Sequence, residues 1–559
     1  MKEGLGILLL LVLCCEAAKA QHVGTCDAGV ATDTLDVGDV RAALYNTGGF
    51  FRRDSGNVYT VPKDGVANSI FAMSLWLGGT TPDGGQRFSG ATYGSWEYWP
   101  GPLDANGNPP ADCTDYDRMY SVYAEDIRAY EHKGTLTADL RDWPYHLGAP
   151  VIDGDGITGN YNLAGGDRPH VYGEQSVWWV MNDVGNAKGW HPAPIGLEVQ
   201  VQAFASSCSP QDGGPNPALD RTVSRMTFYE VTLIHKGQAP LHDVYTGWWI
   251  DGDLGNASDD SIGSDTTHHM GYFYNSDDMD EGAGGYGHQP PALGLLHVKP
   301  LRFQPTASSS SGLALTNTMF GSEGDVFGAV DDLSPPPWPP NHLRSRWRYG
   351  TPLTMGNNGY RGTESTRFVY PGDPVTGSYW SEENTDGNGN PSRDFDRRLV
   401  ASSGPVDFAP GDTATFTMGL VWAQGRDRLG SVVALRGSAE VALGTVDPLM
   451  TFDPYACVDS PAPQSPHSDA LGYYILRQNY PEPFSQQTTI RYEVIDTVPV
   501  QLNVYDLLGR RVRTLVDGVQ DAGVYDVVFE ADDLPTGTYF YRLEAAGYVS
   551  ITRRMVLQR

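Results

Sequence analysis

Apolar and polar positions alternate with period two along much of this chain, and helical spacing is scarce. Residues 197–204 show the pattern most cleanly. Leu197, Val199, Val201 and Ala203 alternate with Glu198, Gln200, Gln202 and Phe204, which predicts a half-buried strand. Residues 71–78 (FAMSLWLG), 176–182 (SVWWVMN), 224–235 (SRMTFYEVTLIH), 243–250 (DVYTGWWI) and 413–424 (TATFTMGLVWAQ) read as further strands. The last follows a turn signal, Pro410-Gly411-Asp412. Residues 427–444 are the best helical candidate, with Leu429, Val432, Val433 and Leu435 on a rough stripe. The expected fold class is mainly β: a large Gly- and aromatic-rich β-sandwich-like body with long loops, followed by a C-terminal immunoglobulin-like β-sandwich.

The second sandwich is read from short strands and turns. Ile490, Tyr492 and Val494 alternate with Thr489, Arg491 and Glu493, and Val500, Leu502 and Val504 with Gln501, Asn503 and Tyr505. Leu508-Gly509-Arg510 is a tight turn, and later strands fall at residues 524–529, 538–544 and 549–557. Six phrases occur in order: Gln478-Asn479-Tyr480-Pro481-Glu482-Pro483-Phe484, then Thr489-Ile490-Arg491-Tyr492, then Val504-Tyr505-Asp506-Leu507-Leu508-Gly509-Arg510, then Ala522-Gly523-Val524-Tyr525, then Gly537-Thr538-Tyr539-Phe540-Tyr541-Arg542-Leu543, and finally Met555-Val556-Leu557. Together they resemble the type A C-terminal sorting domain of the type IX secretion system. The departure is Glu482-Pro483-Phe484-Ser485-Gln486, where relatives often carry Asn-Pro-Phe-Asn-Pro. The resemblance implies passage across the outer membrane by the type IX machinery, removal of the tail in many relatives, and an extracellular or surface-attached product. The phrases at residues 178–183, 251–255 and 420–423 resemble large exported proteins with the same tail, and imply no mechanism.

The N-terminus agrees with export. An apolar run at residues 5–13 precedes Ala18-Lys19-Ala20, a cleavage site after Ala20. The expected organisation is a signal peptide at 1–20, a β-rich body at 21–300 and 301–460 (two parts, possible as one domain), a proline-rich linker at 461–475, and the sorting domain at 476–559. Residues 334–340 (SPPPWPP) are expected as extended polyproline. After residue 20, no apolar run reads as long enough to span a membrane.

Composition narrows the partners. The net charge of −30 argues against nucleic acid; polysaccharide or further copies of the chain stay open. Four cysteines follow the signal peptide, Cys26, Cys113, Cys208 and Cys457. An even number in an exported chain points to two disulfides, with three pairings open. None lies in a C-x-x-C, which speaks against zinc.

The candidate chemistry is acidic. Asp153 and Asp155, closing through Asn160 and Asp167, resemble an extracellular Ca²⁺ loop, because carboxylates two apart with glycines between them can fold around a hard cation. Asp251, Asp253, Asp259, Asp260 and Asp265 crowd one strand end, where carboxylates repel unless a cation, solvent or protonation relieves them. Asp104, Asn106, Asn108 and Asp112 repeat as Asp386, Asn388, Asn390 and Asp394 in the pattern D-x-N-G-N-P-x-x-D. That pattern fits either Ca²⁺ ligands or, more simply, an Asn-Gly turn. His268 and His269 read as surface residues. Adjacent tryptophans at 178–179 and 248–249 should face opposite sides of their strands, with at least one of each pair in a core. Signatures of serine hydrolases, zinc proteases, P-loops and Rossmann folds are missing from the sequence. The expectation is an exported, calcium-stabilised structural, adhesive or assembly protein; the alternative is a carbohydrate binder or glycoside hydrolase using acidic-loop carboxylates.

Overall fold

The computed structural model describes residues 29–558, apart from 53–57, 91, 94–97, 185–192, 209–215, 283, 305–311, 323–338, 393–395, 452, 455–474, 477–478, 480, 482, 495–496, 508, 522, 532–533 and 546–548. The signal peptide with Ala20, residues 461–474 of the linker, Cys26, Cys457 and Asp394 lie outside the described residues.

Alternation gives way to two-sided burial in the body. One nine-stranded antiparallel sheet runs in the order Asp260–Asp265, Met270–Asn275, Ala292–Gln304, Thr413–Ala423, Met226–Ile234, Glu198–Ala205, Gln175–Asn182 and Trp99–Pro100, with Tyr120–Tyr123 also on Gln175–Asn182. A six-stranded sheet runs Asn317–Ser322, Arg397–Phe408, Leu241–Asp251, Ala72–Thr80 and Gly49–Arg52, with Gln86–Ser89 on Ala72–Thr80. Strands from before and after residue 300 pair with one another in both sheets, Thr413–Ala423 with Met226–Ile234 and Arg397–Phe408 with Leu241–Asp251, so the two expected parts form one body. The sheets face each other across one core. In it, Phe50 meets Trp179 and Trp248 edge-on, at ring separations of 5.3 and 4.9 Å.

Residues 198–205 are therefore not half-buried, as the alternation predicted. Val199, Val201 and Ala203 enter the core between the sheets, while Phe204 joins a second core behind the first sheet. Glu198 is 1% exposed and is satisfied by Leu103 N at 2.7 Å and Lys236 Nζ at 2.6 Å. The cover comes from segments distant in sequence. The helix Arg428–Met450 lies over Phe204, Phe228, Tyr272 and Leu296, and the stretch around Ala124–Lys133 and Trp143 lies over Trp178 and Val180. This explains the tryptophan pairs: Trp178 and Trp179 face opposite sides, and both sides are core.

The helix begins where expected, with Asp427 Oδ1 accepting from Gly430 N at 2.6 Å. It runs past Gly444 because Thr445, Val446, Leu449 and Met450 are buried. At 23 residues it is long and apolar enough to cross a membrane, contrary to expectation, yet half of its apolar window is packed inside the protein. Pro339 and Pro340 open the short helix Pro339–His342 instead of continuing a polyproline stretch; residues 334–338 lie outside the described residues.

The tail forms its own two-sheet sandwich. Ile475–Leu476, Gln487–Val494 and Gly523–Glu530 make one sheet; Arg511–Gln520, Val498–Tyr505, Gly537–Ala545 and Val549–Leu557 make the other. Its core holds Ile490, Tyr492, Leu502, Tyr541, Leu543 and Met555. Arg511–Gln520 escaped notice in the sequence because it is an edge strand with no residue fully buried.

Between the strands Asn317–Ser322 and Arg397–Phe408 the body carries a lobe, residues 339–392, built around Trp347, Trp380 and Leu353. Its root is a buried ion pair: Arg397 Nε lies 3.0 Å from Glu382 Oε1, with side chains 4% and 1% exposed. Burial pushes the Glu382 carboxyl above its ordinary range and Arg397 pulls it back. Arg397→Met, which strands Glu382, should lower stability by about 3–5 kcal/mol. The double variant Arg397→Met/Glu382→Met should recover most of that in denaturant titration. Equal losses would mean that the two residues do not act as a pair.

Candidate metal centre

Two groups of three aspartates bring carboxylate oxygens within 4.8 Å of one another. The first is Asp153, Asp155 and Asp167, in a loop closed by the pairing of Val151–Ile152 with Arg168–Pro169. The loop folds tightly because of its glycines. A Cβ on Gly154 would stand 2.1 Å from the Gly166 carbonyl oxygen. Asp167, 2% exposed, accepts from Gly154 N at 2.9 Å and Asn162 N at 2.7 Å. Asp155 Oδ2 meets the side-chain amides of Asn160 and Asn162 at 3.1 and 3.0 Å. These hydrogen bonds hold Asp155 below the usual carboxylate range, Asn162 contributing most. The Asn160 amide can also present its oxygen, since the two ends of an Asn side chain are interchangeable in shape, whereas Asn162 Oδ1 already accepts from Gly165 N at 3.2 Å. Among the described residues no Lys or Arg pairs with any of the three aspartates.

The second group is Asp251, Asp253 and Asp396. Strand register assembles it. Asp251 ends Leu241–Asp251 and stands opposite Arg398 in the ladder; Asp396 lies two residues before Arg398. Arg398 Nη2 reaches Asp396 Oδ2 at 2.8 Å, and its Nε lies 3.4 Å from Asp251 Oδ1. Tyr93 donates to Asp251 Oδ2 at 2.7 Å and accepts from Arg398 Nε at 2.7 Å. Burial pushes the Asp251 carboxyl far above its ordinary range, Asp253 adds to this, and Arg398 and Tyr93 oppose it. Arg398 thus already supplies one positive charge here. Asp396 was missed in the sequence because it lies far along the chain from Asp251 in no acidic motif.

The other expected ligands go elsewhere. Asp260, 3% exposed, accepts from Leu254 N at 3.0 Å, while its Oδ1 is buried without a hydrogen-bond partner. Burial raises its carboxyl well above the usual range, and Asp253 adds to that. Asp259 is pushed up to about 6, mainly by burial. Asp104 Oδ1 accepts from Asn106 N and Asn108 N, each at 2.8 Å, and Asp386 Oδ1 accepts from Asn388 N and Asn390 N at 2.8 and 3.3 Å. Both D-x-N-G-N segments are thus closed turns, with Gly107 and Gly389 at φ 81° and 84°. The Asn390 amide, followed by Asn388 N, holds Asp386 down at about 2. Asp112 caps Thr114.

Asp265 faces the helix Arg428–Met450 rather than Asp251. Its Oδ2 lies 2.9 Å from His268 Nδ1 and 3.2 Å from Arg436 Nε. His268 is not the exposed residue expected; its side chain is 15% exposed and its Nε2 lies 3.7 Å from Glu440 of the helix.

Comparison with known proteins settles the tail. Its residues 478–558 match the family model described as the secretion system C-terminal sorting domain. The tail is a type IX sorting domain. The protein is therefore secreted across the outer membrane, to the cell surface or the extracellular space, and its sorting domain engages the type IX machinery. No curated protein matches the chain. Among solved structures, a polysaccharide lyase is similar at 9% identity and a TM-score of 0.21, over 73% of this chain; the match spans 38% of the lyase. A likeness that slight carries no argument about the body upstream of the sorting domain.

The Asp265 hydrogen bond, then Glu440, raises His268 to about 9. A base raised on folding stabilises fully below its unfolded pKa of about 6.5 and loses that contribution as pH climbs through the folded value. Stability should therefore fall by about 2–3 kcal/mol between pH 6.5 and 9, and His268→Gln should flatten that part of the profile. Denaturant midpoints across this window check it; parallel profiles would exclude the coupling.

Proposed function

We propose that the body is a calcium-stabilised, non-catalytic surface module, adhesive or part of an extracellular assembly, delivered by the sorting domain. The observation that carries this is the convergence of Asp153, Asp155 and Asp167 in a loop where no Lys or Arg among the described residues pairs with them. Three carboxylates within 4.8 Å, with the Asn160 amide beside them, supply much of the oxygen shell of six to eight ligands that Ca²⁺ takes. Asp251, Asp253 and Asp396 are the weaker second seat, because Arg398 shares it. Burial of Asp251 and Asp260, at 2% and 3% exposure, suits a cation or a proton better than the glycosidic bond of a polysaccharide. The acidic strand end therefore supports a structural role over hydrolysis. Polysaccharide, or further copies of the chain, are the partners this reading admits.

Bound Ca²⁺ at a hundred times its dissociation constant would add about 2.7 kcal/mol, or about 3 °C in a body of this size. Chelator should lower the melting temperature of the full chain by that amount, and Asp155→Asn should remove most of the response while Asp251→Asn removes less. A wild-type chain indifferent to chelator would sink the calcium reading.

We also infer two disulfides. Cys113 and Cys208 are 2% and 1% exposed, buried as disulfide sulfurs commonly are. Val30 N and Ala31 N bond the Asp117 carboxylate at 3.0 and 2.9 Å, which brings the chain just after Cys26 beside Cys113. Cys208 packs in the same cluster as Leu449 and Met450, shortly before Cys457. The expected pairing is Cys26–Cys113 and Cys208–Cys457. Non-reduced peptide mapping should recover those two linked peptides, and any crossed pair would refute it.

A further inference from the structure

The chain carries 68 Asp and Glu against 38 Lys and Arg. Residues 344–367 reverse that balance, with Arg344, Arg346, Arg348, Arg361 and Arg367 against the single acid Glu364. The lobe fold then gathers them. Ser345 Oγ donates to the Arg367 carbonyl at 2.6 Å, and Leu353 N returns to the Ser345 carbonyl at 3.0 Å. Arg367 thereby joins the segment that carries Arg344 and Arg346. The Arg344 guanidinium lies 5.3 Å from the centre of the Tyr245 ring. Burial raises the Tyr245 hydroxyl; Arg344, with Arg367 and Arg346, opposes this, while Asp243 adds to it. Arg361 stacks on Tyr360 at 4.9 Å, and Tyr360 rests edge-on against the buried Trp347 at 5.6 Å. Tyr349, in the turn where Arg346 Nη1 bonds the Gly350 carbonyl at 2.9 Å, is 75% exposed.

Among the described residues Arg344, Arg346, Arg361 and Arg367 form no ion pair with a carboxylate. In a chain with so many carboxylates available, guanidiniums held in a group and left unpaired point outward to an anionic ligand. The guanidinium fork matches a carboxylate in two parallel hydrogen bonds. Exposed aromatic rings offer flat faces to apolar rims such as those of a pyranose ring. A nucleic acid or an anionic bilayer presents a continuous negative surface to the whole protein, and the net charge of −30 opposes that approach. A flexible polymer with spaced carboxylates can engage one local patch and leave the rest of the acidic surface distant.

We propose that this lobe binds a carboxylate-bearing polysaccharide, with Arg344, Arg346 and Arg367 pairing to uronate groups and the exposed Tyr349 stacking on a sugar ring. The proposal stands apart from the calcium reading, since no aspartate of either acidic group takes part.

The test is binding of the full chain to immobilised polygalacturonate, with neutral dextran and phosphatidylglycerol vesicles in parallel. Wild type should bind the polyuronate, lose it in high salt as screening sets in, and ignore dextran. Arg344→Ser/Arg346→Ser/Arg367→Ser should bind at least about tenfold more weakly, the equivalent of one charge-assisted pair. Arg41→Ser/Arg141→Ser/Arg491→Ser removes the same net charge elsewhere and should bind like wild type. Unchanged melting temperatures establish that both variants fold. If the serine variant does not fold, Arg344→Lys/Arg346→Lys/Arg367→Lys keeps the charge and loses the fork, and should still bind several-fold more weakly. No binding by wild type, equal losses in the two serine variants, or tighter binding to vesicles than to polyuronate would each overturn the proposal.

Discussion

Asp251 stands where a carboxylate is costly, and the strand that carries it leaves no alternative. Trp248, Trp249 and Ile250 are fully buried and locked in register between Ala401, Val400 and Leu399 on one side and Leu75, Ser74 and Met73 on the other. The next position must therefore lie opposite Arg398. A charge taken out of water is tolerated only with compensating partners, and each partner here follows from geometry. Arg398 is the cross-strand neighbour. Asp396 shares its face because side chains two apart on a strand point the same way. Tyr93 fills the remaining side, its ring edge-on to Trp249 at 5.0 Å. The acidic group is thus a consequence of sheet register, and its surplus negative charge is what a cation or a bound proton relieves.

The same sheet explains how the body is covered. Its strands bury both faces, so its residues cannot alternate cleanly between apolar and polar. The polar groups that remain inside are consumed by specific partners. Asp183, fully buried, accepts from Ile195, Gly196 and Leu197 N. The lobe and the helix close the remaining edge and are joined by ion pairs. Arg428 grips Glu383 with two nitrogens, and Arg436 bridges Asp265 and Asp373. Arg–carboxylate pairs of this kind fix orientation as well as adding energy.

How much of this was legible in the sequence depended on the range of the causes. Period-two alternation located the strands at 72–80, 175–182, 198–205 and 413–423 to within a residue or two, and an ordered set of phrases located the sorting domain. Burial was misread at Glu198 and Phe204, because the segments that cover them are separated in sequence and leave no local trace. The loop from Asp153 to Asp167 was legible because its acids and glycines are contiguous. Asp396 was invisible for the opposite reason: only the ladder between two distant strands brings it to Asp251. The turns at Asp104 and Asp386 show the limit of spacing as evidence, since the same D-x-N-G-N order serves a cation loop or an Asx turn until the hydrogen bonds are known. His268 is similar. Nothing around it announces a helix passing overhead with Glu440.

Charge is segregated within the body, and the segregation needs an anchor. Asp251, Asp253, Asp259, Asp260 and Asp280 lie along one stretch of chain, while the unpaired arginines lie on the lobe. Left to itself, a group of arginines on an acidic body would collapse onto the nearest carboxylates. What holds Arg344, Arg346 and Arg367 apart is backbone. Ser345 is held by the Arg367 carbonyl, the Arg367 carbonyl by Thr318 N at 2.8 Å, and Thr318 by its strand pairing with Ala401. The root of the lobe is occupied by acids already matched to other arginines, Glu382 to Arg397 and Glu383 to Arg428. Both acids are thereby committed to other arginines of the body. Arg344, Arg346 and Arg367 therefore keep their places because backbone hydrogen bonds hold their segments, while Glu382 and Glu383 are matched to Arg397 and Arg428.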